Sequence, residues 1–144
     1  MLKAVLAVVA GYLTMAIAVA MLSLGLFVLL GPDRAFQPGT YEVSAVWVVG
    51  CFAASLLSAM IGGFVCSRIS GPGALKILAA LLVVLGILLA LPALDPANDP
   101  RPLVRPPDTP RLIALTNSRQ PPWAAMTFPF VGAIGVLIGG RGKR

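Results

Sequence analysis

The chain has 144 residues, of which 58% are hydrophobic and only 11% are charged, and its mean hydropathy is +0.94. A water-soluble domain carries about twice that charged fraction, so the composition excludes one. The formal net charge is +6 and the chain contains no histidine, which removes the side chain most often used as a general base and as a metal ligand.

Four apolar stretches follow one another along the chain, at residues 4–30, 43–67, 74–91 and 123–140. A helix needs ~20 apolar residues to cross the ~30 Å hydrocarbon core of a bilayer, so each stretch can cross once. The sequence therefore predicts an all-α polytopic membrane protein with four transmembrane helices in a single domain, residues 1–144. The first stretch exceeds the ~7–15 residues of a signal-peptide h-region, so we interpret it as an uncleaved helix.

The charged residues are unevenly distributed between the connections. All five acidic residues lie within residues 31–42 or 92–122, where arginines balance them. In membrane proteins in general, the short cytoplasmic segments carry an excess of lysine and arginine. We therefore predict that both termini and the 68–76 turn are inside and that the acid-bearing connections are outside. The basic set is expected to contact anionic lipid headgroups rather than nucleic acid. Its members are Lys3, Arg68, Lys76, Arg141, Lys143 and Arg144.

Proline and glycine mark the connections between the spans. Gly31-Pro32 ends the first span, because proline cannot continue the helical hydrogen bonds. Gly71-Pro72-Gly73 reverses the chain so tightly that the second and third spans should be antiparallel neighbours. Before the second span, Thr40 is the expected N-cap, and Glu42 lies in the expected first turn, where a carboxylate complements the helix dipole.

Small residues recur every four positions along the second span, in two adjacent rows. The first row is Gly50, Ala54, Ser58, Gly62 and Cys66, and the second row is Cys51, Ser55, Ala59, Gly63 and Ser67. Small side chains let helix backbones approach closely, and close packing drives helix association in lipid. We expect this face to pack within the chain, the alternative being a surface for a second copy or a partner subunit. Ser55 and Ser58 could add interhelical hydrogen bonds. The packing set is Gly50, Cys51, Ala54, Ser55, Ser58, Ala59, Gly62 and Gly63, with Gly135 and Gly139 on the fourth span. The leucine-rich third span is expected to be the most lipid-exposed.

Residues 92–122 form a long extracytoplasmic connection that holds nine of the chain's 13 prolines. Dense proline favours an extended, semi-rigid chain, although residues 109–115 could form one or two turns of helix after Pro110. The first two spans are longer than the hydrocarbon core, so they should protrude outward. We therefore predict that residues 33–42 meet this segment in one outer cap, through Phe36, Tyr41, Trp123 and the 112–115 cluster.

Residues able to carry catalytic chemistry are scarce. No acidic residue lies within a span, where proton- or ion-coupled proteins usually keep one. Cys51 and Cys66 are ~22 Å apart along one helix, too far for a disulfide, which needs Cα atoms within ~7 Å. We therefore expect no cofactor, no metal site and no enzymatic activity.

The segment Gly31-Pro32-Asp33-Arg34-Ala35-Phe36-Gln37-Pro38-Gly39-Thr40-Tyr41-Glu42-Val43-Ser44, followed by Trp47 and Gly62-Gly63-Phe64-Val65-Cys66, resembles small four-helix bacterial membrane proteins of unknown function. The resemblance extends over the whole chain, including the proline-rich connection and Pro121-Pro122-Trp123. It implies a bacterial inner membrane and carries no activity, ligand or site residues.

Three classes of function remain open on the sequence. The favoured hypothesis is a non-catalytic structural or accessory subunit that packs through its second helix and offers its outer loops to a partner. A small oligomeric channel or carrier is the alternative, although Thr14, Ser44, Ser55, Ser58 and Thr127 are little material for a pore. An enzyme using the loop carboxylates is the third. The expected partners are the lipid bilayer and either a membrane protein or a second copy of the chain.

Overall fold

The computed structural model describes residues 1–95 and 99–141. In this part of the chain, four helices are long and apolar enough to cross a membrane: α1 (Leu2–Leu30), α3 (Ala45–Ser70), α4 (Pro72–Ala90) and α6 (Pro122–Gly140). Two short helices, α2 (Pro32–Ala35) and α5 (Arg111–Thr116), lie in the connections, and a 3-10 turn (Leu91–Leu94) extends α4. The predicted all-α, four-helix fold is confirmed, and each predicted boundary is correct to within one turn of helix.

Helix α3 is the centre of the bundle. It packs along α1 on one side and along α6 on the other, while α4 packs mainly on α6 and touches α1 and α3 less. The expectation that the third span is the most lipid-exposed is wrong. Of the 18 residues in its most apolar stretch, only 6% are buried in α1, against 22% in α4. Helix α1 is less buried because it has one main neighbour and lies at the edge of the bundle.

Helix α3 begins after Ser44 rather than at Thr40, so the predicted N-cap is wrong. The Ser44 Oγ accepts a hydrogen bond from the Trp47 N–H at 3.2 Å, which satisfies one of the free donors of the first turn. Thr40 and Glu42 stay outside the helix because the backbone there is extended and pairs with another connection. The Tyr41 N–H, for example, donates to the Leu103 carbonyl at 3.1 Å.

Two glycines with positive φ connect consecutive helices. Gly31 (φ 69°) lies between α1 and α2, and Gly71 (φ 75°) lies between α3 and α4. Each is followed by a proline at the first position of the next helix. A backbone N–H at that position makes no hydrogen bond within the helix, so proline, which lacks this N–H, costs nothing there. Each glycine combines a positive φ with an extended ψ, a conformation that is almost restricted to glycine, and the proline starts the next helix.

Candidate functional site

The first row of small residues on α3 meets α1 at very close range. A β-carbon added at Gly62 would lie 2.6 Å from the Gly11 carbonyl oxygen, and one added at Gly11 would lie 2.9 Å from the Cys66 Cβ. A β-carbon added at Gly50, nearer the start of α3, would meet only a Leu26 methyl group, which a change of rotamer can move aside. This row therefore holds α1 and α3 together through backbone contact, which larger side chains would prevent.

The second row on α3 meets α6 in the same way. A β-carbon added at Gly63 would collide with the Val136 carbonyl, and one added at Gly135 would lie 2.7 Å from the Ala59 Cβ. Gly139 lies directly against the Met60 carbonyl. The two rows thus pack on different helices, with α1 on one side and α6 on the other.

Other members of the packing set have different surroundings. Cys51, Ala54 and Ser58 are buried, whereas Ser55 is half-buried beside a cavity. The interhelical hydrogen bond expected of Ser58 is absent, because its hydroxyl donates to the Ala54 carbonyl of its own helix at 2.7 Å. Both cysteines are free and buried in separate clusters.

One close contact on α4 is not evident from the sequence pattern. A β-carbon added at Gly86 would meet the ring of Pro129 on α6. Pro129 is buried inside its helix, and the absent side chain at Gly86 makes room for its ring. The available signal was a lone glycine in a leucine-rich helix, but it does not say which partner residue lies opposite.

The predicted basic surface residues lie at one end of the bundle, which we call the basic end. Lys3, Arg68, Lys76 and Arg141 are all exposed there. The Arg68 guanidinium lies 4.6 Å from the centre of the Phe64 ring, so its stem follows the helix surface. Lys143 and Arg144 lie outside the described residues.

At the other end, residues 31–44 and 99–121 pack together into a structure that we call the cap. Its centre is aromatic: the Phe27 ring lies 5.6 Å from Trp47 and 6.1 Å from Phe36, in edge-to-face geometry. Phe36 also makes an edge contact with Tyr41 at 6.4 Å. All four side chains are at most 4% exposed, so the cap closes over an aromatic core that it shares with the ends of α1 and α3.

Backbone hydrogen bonds connect the two parts of the cap. The Arg105 N–H donates to Gly39 O at 2.9 Å, and the Arg119 N–H donates to Tyr41 O at 2.9 Å. The Val43 N–H in turn donates to Arg119 O at 3.1 Å. The predicted contact between the two connections is therefore present, and its hydrogen bonds form short isolated β-bridges.

Not every apolar group expected in that contact takes part. Ala114 of α5 is buried, and Leu115 packs against the cap core. The expectation is wrong for Leu112, Ile113 and Trp123, which are 70%, 50% and 62% exposed. A helix as short as α5 can turn only one face inward, so Leu112 and Ile113 remain on the surface.

A cluster of three charged side chains holds the proline-rich part of the cap together. Arg101 binds Asp99 through Nη2 at 2.7 Å, and the Arg119 Nε lies 3.3 Å from the same Asp99 oxygen. Arg101 also donates through Nη1 to the Ser118 carbonyl. Hydrogen bonds from Arg101, side-chain first and then backbone, with the charges of both arginines, hold the pKa of Asp99 well below its usual range. The same pairing raises the pKa of Arg101.

A second arginine contact joins the two parts of the cap. The Arg105 side chain is only 10% exposed, with its guanidinium 5.6 Å from the centre of the Phe36 ring and 3.5 Å from Asp33 Oδ1. Asp33 itself is 94% exposed, so this ion pair is weak and the stacking on Phe36 is the larger contact.

Beside the charged cluster is a pocket of about 510 Å³, which we call the polar pocket because charged and amide side chains are set in its otherwise largely apolar wall. Its wall includes Glu42, Asp99, Arg101, Arg119 and Gln120. Within residues 1–95 and 99–141 no group of three or more histidine, cysteine or acidic side chains is placed to hold a metal ion. The pocket therefore offers guanidinium, carboxylate and amide groups, which suit ionic and hydrogen-bonding contacts with a polar ligand.

No protein-family model, curated protein or solved structure matches the chain. The cap, the polar pocket beside it and the small-residue faces below are the features that bear on function.

Proposed function

We propose that this protein is a non-catalytic integral membrane protein of the bacterial inner membrane that acts as an accessory subunit and docks a membrane-protein partner through the cap. The observation that carries the proposal is that the cap is an ordered structure held together by hydrogen bonds. Two connections distant in sequence are joined by backbone hydrogen bonds over a buried aromatic core. A surface held rigid in this way loses little conformational entropy when a partner binds.

The exposed side chains of the cap indicate the kind of partner. Leu103, Val104 and Leu112 are each more than half exposed, as is Trp123 at the adjoining start of α6. The acidic and basic residues of the two connections balance in formal charge, so charge gives little attraction for a partner of either sign. An apolar surface on a rigid base fits a partner that brings its own apolar contact region outside the bilayer.

The distribution of basic residues supports an outward-facing cap. Lys3, Arg68, Lys76 and Arg141 are exposed at the basic end, opposite the cap, and lysine and arginine are retained on the cytoplasmic side of membranes. In this orientation both termini are cytoplasmic.

A pore within one protomer has less support. The hydroxyls of Thr14, Ser58 and Thr127 donate to carbonyls one turn earlier in their own helices, at 2.7–2.8 Å. A hydroxyl used in this way offers little to a permeating solute. An oligomeric channel would need a pore between several copies of the chain. The mass measurement below detects such an oligomer.

The docking role is tested by native mass measurement of the detergent-solubilised protein, purified from its source membrane after mild cross-linking. Val104→Asp places a charge on a cap side chain that is 73% exposed, and Ile69→Asp places the same charge at the basic end, where Ile69 is 44% exposed. We expect a heteromeric complex that Val104→Asp abolishes and Ile69→Asp retains. A lone symmetric oligomer, or equal loss in both variants, would overturn the docking role.

A further inference from the structure

A second cavity, of about 340 Å³, lies between α1, α4 and α6. Its wall is formed mainly by apolar side chains, among them Tyr12, Met15, Leu82, Leu89 and Phe128. This volume is within the ~300–1,000 Å³ range of pockets that hold small molecules. Phe128 and Gln120 connect the wall of the cavity to the cap, but the cavity plays no part in the docking role proposed above.

The packing of the helices explains why the cavity exists. A β-carbon added at Gly11 would lie 2.9 Å from a Leu78 methyl group, so α1 and α4 are in close reach at that level. Nearer the cap, α4 follows α6, where Gly86 receives the Pro129 ring, while α1 follows α3. The two helices therefore diverge above Leu78 and leave a wedge. From Leu82 to Ala90 this wedge is ~12 Å deep by helical rise.

The wedge is open to the side of the bundle. Leu85 and Leu89 belong to its wall and are 37% and 77% exposed, and α1 is the least buried of the four long helices. In a bilayer, the surroundings of such an opening are lipid acyl chains. Water gains little in a space with apolar walls, whereas an acyl chain restores the dispersion contacts that an empty cavity forfeits.

At the cap end the wedge adjoins the polar pocket. Gln120 lines both spaces, and Ala90 of the wedge is less than one turn from Ala93 of the polar pocket. The combined space therefore has an apolar shaft within the helices and a charged mouth at the membrane surface. That is the polarity profile of an amphiphile standing in one leaflet.

Arg101 supplies a group for the headgroup of such an amphiphile. Its side chain is 38% exposed and lines the polar pocket. Of the five N–H donors of a guanidinium, the hydrogen bonds to Asp99 and the Ser118 carbonyl use one each at Nε, Nη1 and Nη2. The remaining donors at Nη1 and Nη2 can reach a phosphate oxygen, for which guanidinium is the preferred side chain.

We propose that the protein binds one membrane phospholipid, with an acyl chain in the wedge between α1, α4 and α6 and its phosphate beside Arg101. Asp99 has a positioning role, because it orients the Arg101 guanidinium toward the pocket. The site requires no partner protein and no chemical step.

Native mass spectrometry of the purified chain, reconstituted with phosphatidylethanolamine in a mild detergent, tests the proposal. Ser55→Phe fills the wedge from its α3 side, and Ala53→Phe adds the same ring to an exposed face of the same helix. We expect the wild type and Ala53→Phe to retain one lipid and Ser55→Phe to lose it. Arg101→Gln should weaken retention roughly tenfold or more. Equal retention in a folded Ser55→Phe variant, or no bound lipid in the wild type, would overturn the site.

A second measurement covers the case in which Ser55→Phe fails to fold. A phospholipid with a photoreactive group on one acyl chain, added in stoichiometric amount to the delipidated wild type, should label Met15 and Phe128 in the wedge. Phe130 of α6 is 48% exposed on the outer surface of the bundle and serves as the control. Labelling of Phe130 equal to that of Phe128 would mean that the lipid only coats the protein.

Discussion

Gly11 of α1 and Gly62 of α3 are placed against each other so that neither position has room for a side chain. A β-carbon at Gly11 would lie 2.9 Å from the Gly62 carbonyl oxygen, and a β-carbon at Gly62 would lie 2.6 Å from the Gly11 carbonyl oxygen. The obstruction is backbone on both sides, so it cannot be relieved by a change of rotamer. The crossing of α1 over α3 therefore depends on glycine at both positions.

Gly11→Ala should destabilise the protein because the new methyl group meets the Gly62 carbonyl, Cys66 and Leu78. Overpacking of this kind costs ~1–3 kcal/mol. Gly25→Ala is the matched control on the same helix, since nothing lies within 4 Å of its added β-carbon. Thermal unfolding in detergent should give a lower midpoint for Gly11→Ala and an unchanged or higher one for Gly25→Ala. Equal midpoints would contradict the close crossing.

Leucine substitutions along the second row of α3 should have unequal effects. Gly63→Leu drives a side chain into the Val136 carbonyl of α6 and should lower thermal stability strongly. Ser55→Leu should cost much less, although Ser55 belongs to the same row, because it faces the wedge. Ala53→Leu, on an exposed face, is the control. If Ser55→Leu and Gly63→Leu are equally destabilising, the wedge beside Ser55 is not open.

The Asp99 carboxylate should make cap stability depend on acid pH. Its pKa is lower in the folded protein than in the unfolded chain, so its contribution is fully present above about pH 4. The contribution is lost as the pH falls from there through the folded-state pKa. Hydrogen exchange of the Arg119 and Arg105 amides in the wild type and Asp99→Asn would measure it. We expect the difference between the two proteins to be constant at neutral pH and to shrink below about pH 4. Asp108→Asn, at an exposed position, is the control.

The topology can be measured with alkaline phosphatase fusions, which are active only outside the cytoplasm. Because the basic residues gather at one end, fusions at Gly39 and Asp108 should be active, and fusions at Gly73 and the C-terminus should be inactive. Activity at Gly73 with none at Asp108 would invert the protein and place the cap inside.

Much of the architecture could be predicted from the sequence alone. The length and apolarity of the four spans follow from the thickness of the bilayer, so the helices were correct to within a turn. The glycine-proline pairs at Gly31 and Gly71 marked two of the turns, because they carry a local conformational preference. The rows of small residues on α3 were equally visible, since a period of four residues places them on one helix face.

Other features were decided only by the tertiary structure, because each depends on groups that are distant along the chain. The start of α3 at Ser44 rather than Thr40 depends on residues 41–43 pairing with Leu103 and Arg119. The Asp99 ion cluster depends on where the proline-rich segment folds back, and the wedge depends on the divergence of α1 from α4. Local pattern is enough where a single segment faces one solvent, water or lipid. The local pattern does not show how two distant segments lie relative to each other. It therefore cannot predict hydrogen bonds, ion pairs or cavities that form between them.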